Sequence, residues 1–173
     1  MDEQARADFT SFVNAHWASM FRTAYLLTGD HHLAEDLTQG AFTKAMLSWS
    51  RVRKAREPAA YVRKIVVNQT FAWRRRRSSG EVPTDDLYDA TVSGHDDRVA
   101  SAHDVWAALL RLPPRQRAVM VLRYYHDLSE AEIAETLGMA RGTVKSHVSA
   151  ASKTLATLMS DDTTSQENAN EPR

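Results

Sequence analysis

Apolar residues recur along the first half of the chain at intervals of three and four, the spacing of one buried helical stripe. Phe9, Phe12, Val13, Trp17, Met20, Phe21, Ala24 and Leu27 form such a stripe, which predicts a helix from about Ala5 to Leu27. Thr28-Gly29-Asp30 ends it, because Gly29 tolerates the positive φ of a helix terminus and Asp30 is a good cap for the next helix. The second helix runs to about Trp49, with Leu33, Leu37, Ala41, Phe42, Ala45 and Met46 facing inward. Pro58 suits a first helical turn, so a third helix begins near Glu57 and passes through Tyr61, Ile65, Val66, Gln69 and Trp73. Beyond a stretch of Ser, Gly, Asp, Thr and Pro, helical spacing returns from Val99 to Leu112 through Val105, Trp106 and Leu109. Pro113-Pro114 stops that helix, and another follows from Arg115 to Tyr125. No stretch keeps the period-2 alternation of a half-buried strand, so the fold class is all-α.

Charge divides this helical chain in two. From Arg51 to Arg77 there are ten Lys or Arg and one acid, Glu57, whereas Ser78 to Asp104 holds seven acids and only Arg98. The net charge of zero therefore conceals a strongly basic segment followed by an acidic one. The expected organisation is two small helical domains, 5–77 and 99–159, joined by a flexible acidic linker over 78–98 and followed by a disordered tail over 160–173. With no cysteine, there is neither a disulfide framework nor a thiolate metal site. The N-terminus is acidic and polar and no apolar run reaches spanning length, which predicts a cytoplasmic protein without membrane insertion.

The sharpest motif lies between Glu130 and Ser149, EAEIAETLGMARGTVKSHVS. Ile133, Leu137, Met139, Val144 and Val148 supply an interhelical core, Ala134 is small where two helices would cross, and Gly138 sits at the turn. Ser129 and Glu132 have the spacing of a capping box. An ordinary helical hairpin would want the same apolar spacing and a glycine. The polar surface favours a DNA-binding helix-turn-helix instead: Arg141, Thr143, Lys145, Ser146 and His147 crowd the first two turns of the second helix, the end that a recognition helix presents to base edges.

These residues resemble a known family. Leu112 to Leu155 looks like domain 4 of sigma-70 family sigma factors, the part that reads the −35 element. Leu33 to Trp49 is similar to the polymerase-binding region of sigma domain 2, and Tyr61 to Arg77 to its −10 recognition and melting region. Without room for domain 3, the layout is similar to that of the extracytoplasmic-function group and its SigE-like branch. Two departures stand out. His147, Ser149, Ala151 and Ser152 occupy positions where family members commonly carry arginine, with Lys153 the next cation, and Ala140 replaces the Ser or Pro often found at the recognition-helix start.

The resemblance implies a sigma factor that joins core RNA polymerase and directs initiation at promoter DNA, with room for an anti-sigma factor as a further partner and no cofactor. It places polymerase contact at Asp36, Leu37, Gln39, Phe42 and Lys44, although Leu37 and Phe42 would serve equally as core. It places −10 contact at Tyr61, Arg63, Lys64, Asn68, Trp73 and Arg74, Arg75, Arg76 and Arg77; Phe71 is another candidate for base stacking, and all these aromatics would equally fit a core. The −35 set is Arg141, Thr143, Lys145, Ser146, His147 and Lys153.

Two rivals come from other classes. A stand-alone helix-turn-helix regulator explains the C-terminal motif and leaves the basic front half unused. An enzyme would need a catalytic constellation, and the seven histidines show neither HExxH nor another ligand spacing in sequence, nor is there a phosphate-cradling glycine loop.

Overall fold

The computed structural model describes residues 2–80 and 97–169, with side chains described over 2–80 and 104–160. The chain divides into two compact units, Met1–Asp89 and Ala90–Arg173, and all regular structure among the described residues is helical. Residues 81–96, most of the expected linker, lie outside the described residues.

In the first unit, α1 (Glu3–Thr28) starts where the Asp2 carboxylate accepts from the Ala5 amide at 2.7 Å. It ends at Gly29, whose φ of 75° lets its amide donate back to the Tyr25 carbonyl. Asp30 then caps α2 (His31–Leu47) by accepting from the Leu33 amide at 2.9 Å. A single turn, α3 (Trp49–Val52), leads to α4 (Pro58–Ser78), which has its proline in the first turn. The core joins Met20 and Ala24 of α1, Ala34, Leu37, Ala41, Phe42 and Ala45 of α2, and Val62 and Val66 of α4. Four buried alanines let the helix axes approach closely, while Phe9, Phe12, Val13, Trp17 and Phe21 close the sides half-buried. Ala5, Trp49 and Val52 make a smaller second cluster against Tyr61. Met46, expected inside, is 42 % exposed, because it lies at the flank of the buried face that Ala45 and Phe42 centre.

The second unit consists of α5 (Asp97–Arg111), α6 (Pro114–Met120), α7 (Glu130–Leu137) and α8 (Arg141–Ala169). The sequence predicts one α-helix over 115–125, but α6 passes at Val121 into a π-helical turn, Val121–Tyr125. Arg117 to Leu122 are all buried, and the wider turn lets Val121 and Leu122 both face inward while Tyr124 and Tyr125 stay outside. Val105, expected on the buried stripe of α5, is exposed instead, whereas Ala108 and Leu112 are inside. Over the described part of the expected tail, α8 continues to Ala169, and residues 170–173 lie outside the described residues. No glycine or proline intervenes between Gly142 and Pro172, and extending an established helix costs far less than nucleating one.

Arg117 is the main structural surprise. Only 5 % exposed, it donates from Nε to the Leu109 carbonyl at 3.1 Å and from Nη2 to the carbonyls of Leu110 and Leu112, the latter at 3.2 Å. Those carbonyls lie at and just past the end of α5, where the Leu112 amide reaches back to Leu109 and Pro113 and Pro114 have no amide to offer. One guanidinium therefore caps the helix from outside and complements its negative end.

Candidate nucleic-acid interface

The helix-turn-helix is built as its sequence requires. Ser129 Oγ accepts from the Glu132 amide at 3.3 Å while the Glu132 carboxylate accepts from the Ser129 amide at 2.9 Å, completing the capping box that starts α7. Gly138 takes φ 63°, and its amide and that of Met139 both return to the Ala134 carbonyl. Ile133 and Val144 are fully buried between the two helices, Ala134 is buried beside them, and Leu137, Met139 and Val148 are half-buried. Ala140 offers only its carbonyl, which accepts from Thr143 and Val144 at 3.0 and 3.1 Å.

Burying Val144 turns the opposite side of α8 outward. Arg141, Thr143, Lys145, Ser146 and Lys153 are exposed and His147 is half-buried. The Ser146 hydroxyl donates to the Gly142 carbonyl at 3.0 Å, which leaves its oxygen available as an acceptor. The first two turns thus present two full cations, two hydroxyls and an imidazole from a rigid support, a donor-rich surface fit for a DNA groove.

In the first unit the basic helix sorts its residues. Lys64, Asn68 and Arg75 are exposed and follow one another at helical spacing along one side of α4, and Arg76 and Arg77 extend the charge. Trp73 is half-buried, with the Arg77 guanidinium 5.2 Å from its ring centroid, a cation–π pair that leaves the Trp73 ring already engaged. Three of the expected residues meet partners within this unit. Arg63 is 7 % exposed and its Nη2 faces Glu57 across 3.7 Å. Arg74 donates from Nη2 to the Leu27 carbonyl at 2.9 Å and braces the end of α1; burial first, then the nearby Arg77 charge, holds its pKa below the usual arginine value. Tyr61 packs against the Trp49 cluster, and Phe71 is half-buried.

On α2, Asp36, Gln39 and Lys44 are exposed. Leu37 and Phe42 are buried in the core, with Phe42 stacked on Trp17 at a centroid distance of 5.6 Å. Leu37 and Lys44 nevertheless border a groove of about 360 Å³ between α2 and α4, lined also by Gln69, Ala72, Arg75 and Arg76. Sequence periodicity missed an apolar spot elsewhere on α2: Leu47, in its last turn, is 79 % exposed beside Met46, in a second groove lined also by Ala5, Phe9 and Trp49. It missed as well that His31, His32 and Glu35 converge at the start of that helix. The His31-to-Glu35 interval of four residues was the available signal.

Comparison with known proteins covers both units. Residues 12–80 match the family model described as Sigma-70 region 2, and residues 102–155 that of Sigma-70, region 4. The chain is 35% identical over 139 residues to the RNA polymerase sigma-E factor of Streptomyces avermitilis, covering 80% of this chain and 78% of the relative. It is 32% identical over 155 residues to the ECF RNA polymerase sigma factor SigM of Mycobacterium tuberculosis, covering 89% and 78% respectively. Among solved structures it is similar to the sigma factor RpoE in complex with the anti-sigma factor NepR from Bartonella quintana. That match has a TM-score of 0.74 and 26% identity, and covers 88% of this chain and 97% of the other.

Proposed function

The chain belongs to the sigma-70 family, in its extracytoplasmic-function group, and from that premise we infer how its surfaces divide the work of initiation. It is a sigma factor that binds core RNA polymerase and directs transcription from promoters through −10 and −35 elements. The observation that carries this reading is the ordered pair of sigma regions, which also sets aside a stand-alone regulator, since the whole first half would then have no use.

In this division α8 enters the major groove of the −35 element. Arg141 and Lys145 hold phosphates or guanine edges, and Thr143, Ser146 and His147 supply shorter polar contacts. Lys153 stands three turns along α8 as a backbone anchor. Its isolation limits the phosphate contacts of this helix, so the second unit relies on polymerase for its residence on DNA. At the −10 element, Lys64, Asn68, Arg75, Arg76 and Arg77 track the separated strands, with Asn68 offering both a donor and an acceptor to an unpaired base. Arg63, Arg74 and Tyr61 act as supports for that face. Asp36, Gln39, Lys44 and the exposed Leu47 dock on core polymerase through an edge of polar groups around an apolar contact.

The role is one of binding rather than catalysis, and its place is the cytoplasm, where core polymerase works; no helix among the described residues is long and apolar enough to cross a membrane. An anti-sigma factor is the natural antagonist, as NepR is the partner of RpoE in the similar structure. Run-off transcription with core polymerase on a promoter library tests the assignment. Promoter-dependent transcripts that require both proteins are expected. Tight, specific duplex binding by the protein alone, with no transcript, would overturn it.

A further inference from the structure

The first turn of α2 carries a cluster that promoter recognition does not use. His31, His32 and Glu35 each present one donor atom, all three lie within 4.8 Å of one another, and all three residues are exposed. Their order along the helix explains the convergence: His31 and Glu35 are one turn apart, and His32 and Glu35 are three residues apart. His31 is also steadied from α1, with its ring edge-on to Phe21 at 4.9 Å and close to Tyr25 at 6.4 Å. A ligand held in place by aromatic neighbours loses less freedom on coordination than a free surface histidine.

We propose that His31, His32 and Glu35 form a surface site for a divalent transition metal of borderline softness, with Zn²⁺ the ion of choice. Two imidazoles and one carboxylate suit zinc, and a set of three protein ligands leaves a further position for water. Donors around a tetrahedral zinc stand about 3.3 Å apart at ordinary bond lengths, so closing the cluster needs only small rotations of exposed side chains. The positive end of α2 opposes a cation, and the neighbouring carboxylates of Asp30 and Asp36 offset it. With three exposed ligands, the site holds its ion less firmly than a closed four-ligand structural zinc site. Its position has a consequence for the surface. His32, Glu35, Asp36 and Gln39 follow one outward ridge of α2, so an occupied site changes the charge of that ridge without disturbing the core.

Calorimetric titration of the full chain with Zn²⁺ alone, and with Mg²⁺ for comparison, tests the site without reference to transcription. One equivalent of Zn²⁺ is expected to bind and Mg²⁺ is not. His31→Ala, His32→Ala and Glu35→Gln should each weaken Zn²⁺ binding at least ~10-fold, while His126→Ala in the second unit leaves it unchanged. Far-ultraviolet circular dichroism checks that each variant is folded, as expected for exposed positions. Absence of Zn²⁺ binding to the wild-type chain would overturn the proposal, and so would wild-type affinity in the three cluster variants.

Discussion

Replacing Arg117 with alanine removes one side chain and exposes the weak point of the second unit. The carbonyls of Leu110 and Leu112 lose the Arg117 donor, that of Leu109 keeps only the Leu112 amide, and the guanidinium that offset the negative helix end goes too. A hydrogen bond to a charged group contributes about 1.5–3 kcal/mol, and a buried carbonyl left unpaired costs about 1–3 kcal/mol. The three bonds share one side chain and do not add, and the variant is spared the cost of burying a cation, about several kcal/mol. The balance is a loss of about 3 kcal/mol. For a domain of this size each kcal/mol lowers the midpoint by about 4–8 °C, so the transition of the second unit should fall by about 12–24 °C. Thermal unfolding of the full chain by circular dichroism, with tryptophan fluorescence as a second probe, measures it. Arg117→Lys keeps the charge but lacks the planar fork that spans several carbonyls, and should fall between the two. A midpoint for Arg117→Ala within ~3 °C of the wild type would refute the reasoning, because water would then be satisfying the same carbonyls.

The remaining predictions concern the proposed surfaces. Lys145→Ala should weaken promoter binding by the holoenzyme to similar degrees across −35 variants if it holds a phosphate, and reduce the slope of log K against log salt by about 1 in filter-binding titrations. Arg75→Ala should slow open-complex formation and leave the melting temperature within about 2 °C, whereas Arg63→Ala should destabilise the first unit by about 1–3 kcal/mol; permanganate footprinting and thermal melts separate the two. Leu47→Asp, at a position outside the core, should lower affinity for core polymerase at least ~10-fold in a competition assay, with unfolding unchanged.

Local sequence determined much of this protein. Asp2, Asp30, Ser129, Gly29 and Gly138 act through backbone groups within a few residues of themselves, so the helix boundaries they set are legible without any tertiary information. The outward residues in the first turns of α8 were equally legible, because burying Val144 fixes the direction of every neighbour on a regular helix. Only the tertiary structure divided the arginines. Arg63, Arg74 and Arg117 are chemically the same as Arg75 and Arg76, and what separates them is where the neighbouring helices lie: Arg63 is buried under them beside Glu57, Arg74 reaches the Leu27 carbonyl of α1, and Arg117 reaches the end of α5. Leu37, Phe42 and Met46 divide in the same way, two inside and one out, because helical period says which residues share a face but not how much of that face a neighbour covers. Spacing along a chain carries angular position; burial depends on what else arrives there.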